Sequence, residues 1–268
     1  KNRVSVVSFV LNGIPVLDGH VHYTLDLDPA AFVALLDRTG TERANLAVIA
    51  HGDRVSCTPE ALALKALYPG RFFCFGSLDP CLYYQGGADM GRRQAEYAAT
   101  LLRAGCEGVK LLEGKPQLRR QLPIPDFDDI CWDAFWAWAE ERAVPILWHV
   151  NDPEAFWDAS KVPAWAATQG WLYDESYINN EEQYRQVLTV LSRHPGLKIC
   201  FAHFFFFSAQ LTRLAEVLEV SVSQLLGAEI PEGESQRNEI AELLSKINEQ
   251  LAIRNRRSAP IWRIGGIA

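Results

Sequence analysis

An alternation constrains this chain more than any single motif. Short apolar runs rich in β-branched and aromatic residues recur at 16–22, 44–51, 71–79, 105–112, 144–150 and 197–205. Stretches of helical character lie between them, such as "DPAAFVALLDRTG" (28–40), "TPEALALKALYPG" (58–70) and "AEYAATLLRAG" (95–105). Several close on glycine, the usual stop at a helix C-terminus. Strand, helix, strand at intervals of about 30 residues is the pattern of βαβ units, whose crossovers make neighbouring strands parallel. Runs that are apolar on nearly every residue suit a sheet covered on both faces. A parallel barrel and an open doubly wound sheet both satisfy this pattern.

The polar residues at the ends of the runs separate the two. His20 and His22, His51, Lys110 and His149 sit at or near the C-terminal ends of runs one, two, four and five, and His203 lies in the second half of the sixth. A (β/α)8 barrel builds its active site at that edge from several strands at once. An open sheet has no reason to send histidines to the ends of strands one, five and six together. His194 precedes its strand and is assigned no role.

Within "VLDGHVHY" the alternation of a strand sets Asp18, His20 and His22 on one face. Two imidazoles so placed can close on an ion that takes nitrogen at about 2.0–2.1 Å. A lone histidine on an apolar strand is usually structural; three at corresponding strand ends are harder to dismiss. Lys110, in "GVKLLEGKP", reads in three ways: a carboxylated lysine bridging two metals, a cation that binds substrate, or an ion-paired strand residue. Asn151 and Asp152 follow His149 directly, where they would orient it from behind or, for Asn151, meet substrate.

Composition narrows the partners. The chain has 268 residues, 49% of them hydrophobic, enough for one large α/β domain or two ordinary ones. A formal charge of −7 offers no basic face for nucleic acid or an anionic membrane, which leaves a small-molecule substrate. The six cysteines are dispersed without a CxxC, as expected of reduced thiols in the cytoplasm, and no run reaches the roughly 18 apolar residues of a membrane span.

With DGHVH in the first run, GVKLLEGKP in the fourth, WHVNDP in the fifth and ICFAH in the sixth, residues 16 to about 207 resemble the amidohydrolase superfamily, in particular its amidohydrolase 2 group of hydrolases and decarboxylases. The resemblance implies a distorted (β/α)8 barrel holding a divalent metal, zinc first and manganese as an alternative. His20, His22 and His149 would be ligands, and His203 the catalytic group, as a further ligand or a donor that polarises the substrate. Lys110 and Asn151 would bind substrate. The implied reaction is hydrolysis of a small amide, ester or lactone by metal-activated water, since an ion with three protein ligands and an open position brings the pKa of bound water toward 7. A related decarboxylase and an inactive, truncated or chimeric barrel are the alternatives. The last of these rests on a departure: the family's strand-8 aspartate has no counterpart, because no Asp follows residue 174.

Six of the eight βα units are visible, so the expected fold is an incomplete (β/α)8 barrel over 1–208 with an α-helical extension over 209–268. Residues 211–227 are similar to the closing helices of phage-repressor-type helix-turn-helix domains, but run six stands where the recognition helix belongs. Seven Lys/Arg against eight Asp/Glu in 209–268 give no electrostatic footprint for DNA. Within 236–257, Ile240, Leu243, Leu244, Ile247 and Leu251 form one apolar stripe, fit for a helical partner or a second copy of the chain.

Overall fold

The computed structural model describes residues 16–24, 27–50 and 56–203. His51, the boundary at 208, the helix-turn-helix likeness and the stripe within 236–257 lie outside the described residues.

All six predicted strands are present: β1 (Val16–Tyr23), β2 (Thr41–Val48), β3 (Phe72–Ser77), β4 (Gly108–Gly114), β5 (Pro145–Val150) and β6 (Lys198–Phe201). They form one sheet in the order β1-β2-β3-β4-β5-β6, every pair parallel. The intervening helices are α1 (Pro29–Thr39), α2 (Thr58–Leu67), α3 (Cys81–Gln85), α4 (Met90–Ala104), α5 (Pro116–Gln121), α6 (Asp133–Glu141), α7 (Ala164–Thr168) and α8 (Asn180–Arg193). Sequential parallel strands with helical crossovers, curled into a half-barrel, are an incomplete (β/α)8 barrel.

Local chemistry sets the element boundaries. Asp28 caps α1 by accepting a 2.6 Å hydrogen bond from the Ala31 N–H, and Pro29 occupies the first turn, where no N–H is needed. Gly40, at φ 71°, takes the left-handed conformation that ends the helix and turns the chain straight into β2. That strand therefore begins at Thr41 rather than at 44. Its polar first residues pair with β1 through their backbone while their side chains stay largely in solvent.

The core lies mainly outside the sheet. Trp132, Phe135 and Trp136 pack with Phe127 against Trp148 of β5, and Phe32 and Leu36 of α1 join Ala61 and Leu64 of α2 over Leu46, Val48 and Phe72. The concave side holds a smaller cluster of Ala47, Leu147 and Ala202 with Phe75 and Cys200. No helix among the described residues is long and apolar enough to cross a membrane.

Candidate functional site

The first strand is not regular. Its pairing steps from Asp18 opposite Ala44 to Val21 opposite Leu46, three residues against two, which is a β-bulge. The Asp18 carboxylate accepts the His20 N–H at 3.0 Å, and the Asn45 side-chain amide donates to the Gly19 carbonyl at 3.1 Å. The extra residue changes the alternation. Asp18 is in register with Ala44 of the helix-covered cluster, whereas His22 is in register with Ala47 of the concave one. Asp18 therefore does not share a face with His22, contrary to the strict alternation expected of the strand.

In strand order β1 and β6 lie farthest apart, yet the ring centroids of His20 and His203 are 5.2 Å apart. His203 stands two residues past the end of β6 at φ 55°, a left-handed backbone that turns the chain beyond the strand. His149, the fifth residue of β5, lies 5.2 Å from His203, and His22 lies 4.8 Å from His20. The four predicted histidines thus form one row: His22, His20, His203, His149.

Lys110 sits beneath this row. Pairing aligns it with Ser77, Leu147 and Cys200 in one layer of the sheet. It is 1% exposed, and its Nζ has no hydrogen-bond partner among the described residues. Burial pulls the Lys110 ammonium down to about 7, opposed by the charge of Glu113. Burial, reinforced by Lys110 and the other imidazoles, holds His20 at about 2. His203 is lowered to about 3 by burial, with His149 and Lys110 adding to it, and burial also lowers His149. At neutral pH all three imidazoles are neutral, the form that offers a lone pair to a metal.

The arrangement bears on whether a metal fits. The Nε2 atoms of His20 and His22 face each other at 2.9 Å. Two nitrogens on one tetrahedral ion at about 2.0–2.1 Å would stand about 3.3 Å apart, so a small outward rotation of either ring opens that bracket. Among the described residues no three His, Cys, Asp or Glu side chains are gathered tightly enough to make a closed cage. The histidines make a row with a two-nitrogen bracket at one end. Neutral imidazoles from β1 and β5 are the donor chemistry that suits a borderline divalent ion.

Behind His149 stands a buried network that sequence reading reached only in part. Asp152 places Oδ1 3.3 Å from His149 Nε2, while Oδ2 accepts from Lys115 Nζ at 2.7 Å and from the Tyr173 hydroxyl at 2.6 Å. The Asp152 carboxyl stays below its usual value despite its burial, because His149 and Lys115 favour the charged form. Lys115 also lies 3.9 Å over the Trp171 ring. Asp152 facing Nε2 fixes the orientation of the His149 ring. Lys115 is visible in "EGKP" just past β4; Tyr173 lies in a loop whose sequence carries no periodic signal.

Asn151 is fully buried at φ 66°, with its amide donating to the Asn180 carbonyl at 3.2 Å and accepting from Gln183 at 2.7 Å. These bonds tie the end of β5 to the start of α8. Glu113, likewise buried and raised above its usual value by desolvation, accepts from the Tyr83 hydroxyl at 2.8 Å. Gly114 allows the close approach of β4 to β5 here: a Cβ on it would lie 2.1 Å from the His149 carbonyl oxygen.

In sequence, no protein-family model and no curated protein matches the chain. Solved structures do. An amidohydrolase II aligns at 12% identity over 75% of this chain and 71% of its own, with a TM-score of 0.51. A TIM-barrel protein from Bordetella bronchiseptica aligns at 12% identity over 74% and 69%, also at 0.51. A 2,6-dihydroxybenzoate decarboxylase from Rhizobium aligns at 15% identity over 81% and 73%, at 0.50. At these identities the likeness is one of fold.

Proposed function

We propose that this chain is a metal-dependent enzyme of the amidohydrolase type, hydrolysing a small-molecule amide, ester or lactone at the C-terminal edge of its incomplete barrel. The observation that carries this reading is the meeting of His20 and His203 across the two ends of the strand order, with His149 next in the row. It gathers imidazoles from β1, β5 and the end of β6 at the edge where this fold does its chemistry.

In this reading His20, His22 and His149 hold a divalent ion, with zinc preferred and manganese second. Such an ion supplies Lewis acidity and makes water nucleophilic at neutral pH. His203 stands between His20 and His149, where its neutral imidazole would donate a hydrogen bond to the substrate carbonyl and polarise it. Lys110, poised near neutrality under the row, meets the anionic or carbonyl oxygen of the substrate. The same buried cation suits a carboxylate, which favours the related decarboxylase as the second reading. Asn151 serves the substrate pocket through the β5 turn that it holds. The reading needs neither nucleic acid nor membrane, and a reducing cytoplasm suits six free cysteines.

The test is metal binding by the full chain, followed by calorimetry with zinc and with manganese and by turnover of a panel of amides, lactones and aromatic carboxylates. One ion per chain, lost in His149→Ala together with turnover, is the expected result. A wild-type chain that binds neither ion at millimolar concentration overturns the proposal.

A further inference from the structure

We propose that Cys74 and Cys106 form a redox-modification site, at which a peroxide converts the two thiols reversibly into a disulfide that ties β3 to the entry of β4. The pair is set apart from the histidine row. Cys106 lies before the first residue of β4, at the opposite end of that strand from Gly114, and Cys74 lies within β3. Their sulfurs are 3.8 Å apart in a thiol–thiol hydrogen bond, and both residues are buried. A bond of about 2.05 Å is reached by closing a gap of roughly 1.8 Å, within the range of side-chain rotation.

The surroundings hold this geometry in place. The Glu107 N–H donates to the Cys74 carbonyl at 2.9 Å, and the Glu107 carboxylate accepts from the Cys74 N–H at 2.9 Å. Lys65 pairs with Glu107 and donates to the Gly105 carbonyl at 2.7 Å. Two neighbouring strands are thus stitched on both sides of the sulfurs.

The two thiols are not equivalent. Cys106 lines a surface cavity of 560 Å³ together with Leu102, Arg103, Glu107, Trp138 and Arg142, whereas Cys74 is 0% exposed behind it. A small oxidant arriving through the cavity meets Cys106 first. The hydrogen bond with Cys74 lowers the Cys106 thiol from its usual value against burial and the Glu107 carboxylate, with the Lys65 ammonium adding a smaller push toward the thiolate. Cys74 is pushed well above the usual range, first by that same hydrogen bond and then by burial. Lining the cavity in front of fully buried Cys74, Cys106 is the attacking sulfur and Cys74 the resolving one.

The chemistry closes in two steps. The Cys106 thiolate attacks one oxygen of hydrogen peroxide, the O–O bond breaks, and Cys106 becomes a sulfenic acid as hydroxide leaves. The Cys74 sulfur then displaces the hydroxyl from the Cys106 sulfur, forming the S–S bond; the thiol proton leaves with that hydroxyl as water. Two electrons pass from the thiol pair to the peroxide, and a dithiol reductant returns them.

The experiment treats the reduced full chain with graded hydrogen peroxide and maps its cysteines by alkylation and peptide mass. Alkylatable thiols are expected to fall from six to four as a Cys74–Cys106 cross-linked peptide appears, before exposed Cys81 is modified, and to return with dithiothreitol. In Cys74→Ser, Cys106 stops at a sulfenic acid that dimedone traps; in Cys106→Ser, Cys74 stays alkylatable. Modification of Cys81 while Cys74 and Cys106 both remain alkylatable overturns the proposal. That outcome is read on the wild-type chain, so it stands even if a variant does not fold.

Discussion

Replacing Lys110 by methionine should make the metal-free protein more stable while destroying its site. The ammonium is 1% exposed, has no hydrogen-bond partner among the described residues, and titrates near 7 instead of 10.5. At about 1.4 kcal/mol per pH unit, that difference costs the fold up to about 5 kcal/mol in acid, and about 4 kcal/mol at pH 7, where the folded lysine is half-titrated. The sign follows from proton binding. Between about 7 and 10.5 the unfolded chain holds a proton that the folded chain lacks, so wild-type stability rises with pH across that window. Methionine has nearly the same length and no charge to desolvate, so Lys110→Met should recover most of the roughly 4 kcal/mol at pH 7 and almost none at pH 10.5. Urea unfolding of both chains at the two pH values measures this directly. A variant less stable than wild type at pH 7, or a gain that does not shrink in base, would refute the account of Lys110 as a desolvated cation that Glu113 compensates only in part.

Gly114→Ala should destabilise the fold by about 1–3 kcal/mol in the same urea assay, because its methyl meets the His149 backbone rather than a movable side chain. A Cβ at Gly19 meets nothing within 4 Å, so Gly19→Ala should change stability little, and equal losses at both positions would remove the close-approach argument. Asp152→Asn keeps the shape of the carboxylate but not its charge, and calorimetry should find metal affinity reduced by about 10–100-fold. An unchanged affinity would show that His149 needs no orienting anion.

Much of the fold was legible because it is written in long-range pattern. Six apolar runs separated by amphipathic stretches admit few architectures, and the parallel sheet in sequential order is the one they form. Strand ends were less legible, as with β2, where Gly40 starts the strand among polar residues that pair by backbone alone. The histidines could be selected by position, since a (β/α)8 fold assigns chemistry to one strand edge. Their arrangement could not. The bulge that parts Asp18 from His22 depends on one inserted residue, and periodicity of two cannot register that. Tyr173 reaches Asp152 from a loop 21 residues along the chain, and the Cys74–Cys106 contact spans 32 residues without a spacing motif. Such contacts follow from tertiary approach, for which a single chain carries no local mark.

The histidine row joins the first described strand to the last, and the last is the weakest member: β6 has four residues, none of them fully buried, with His203 just past its end. Local opening of that short strand would separate His203 from both His20 and His149 and lift Phe201 off Trp148, while the packing of Trp132, Phe135 and Trp136 stays in place. Parting of the histidine row and unfolding are then distinct transitions, with the first reached at milder denaturation, so a sample can keep its helical circular dichroism after the row has come apart.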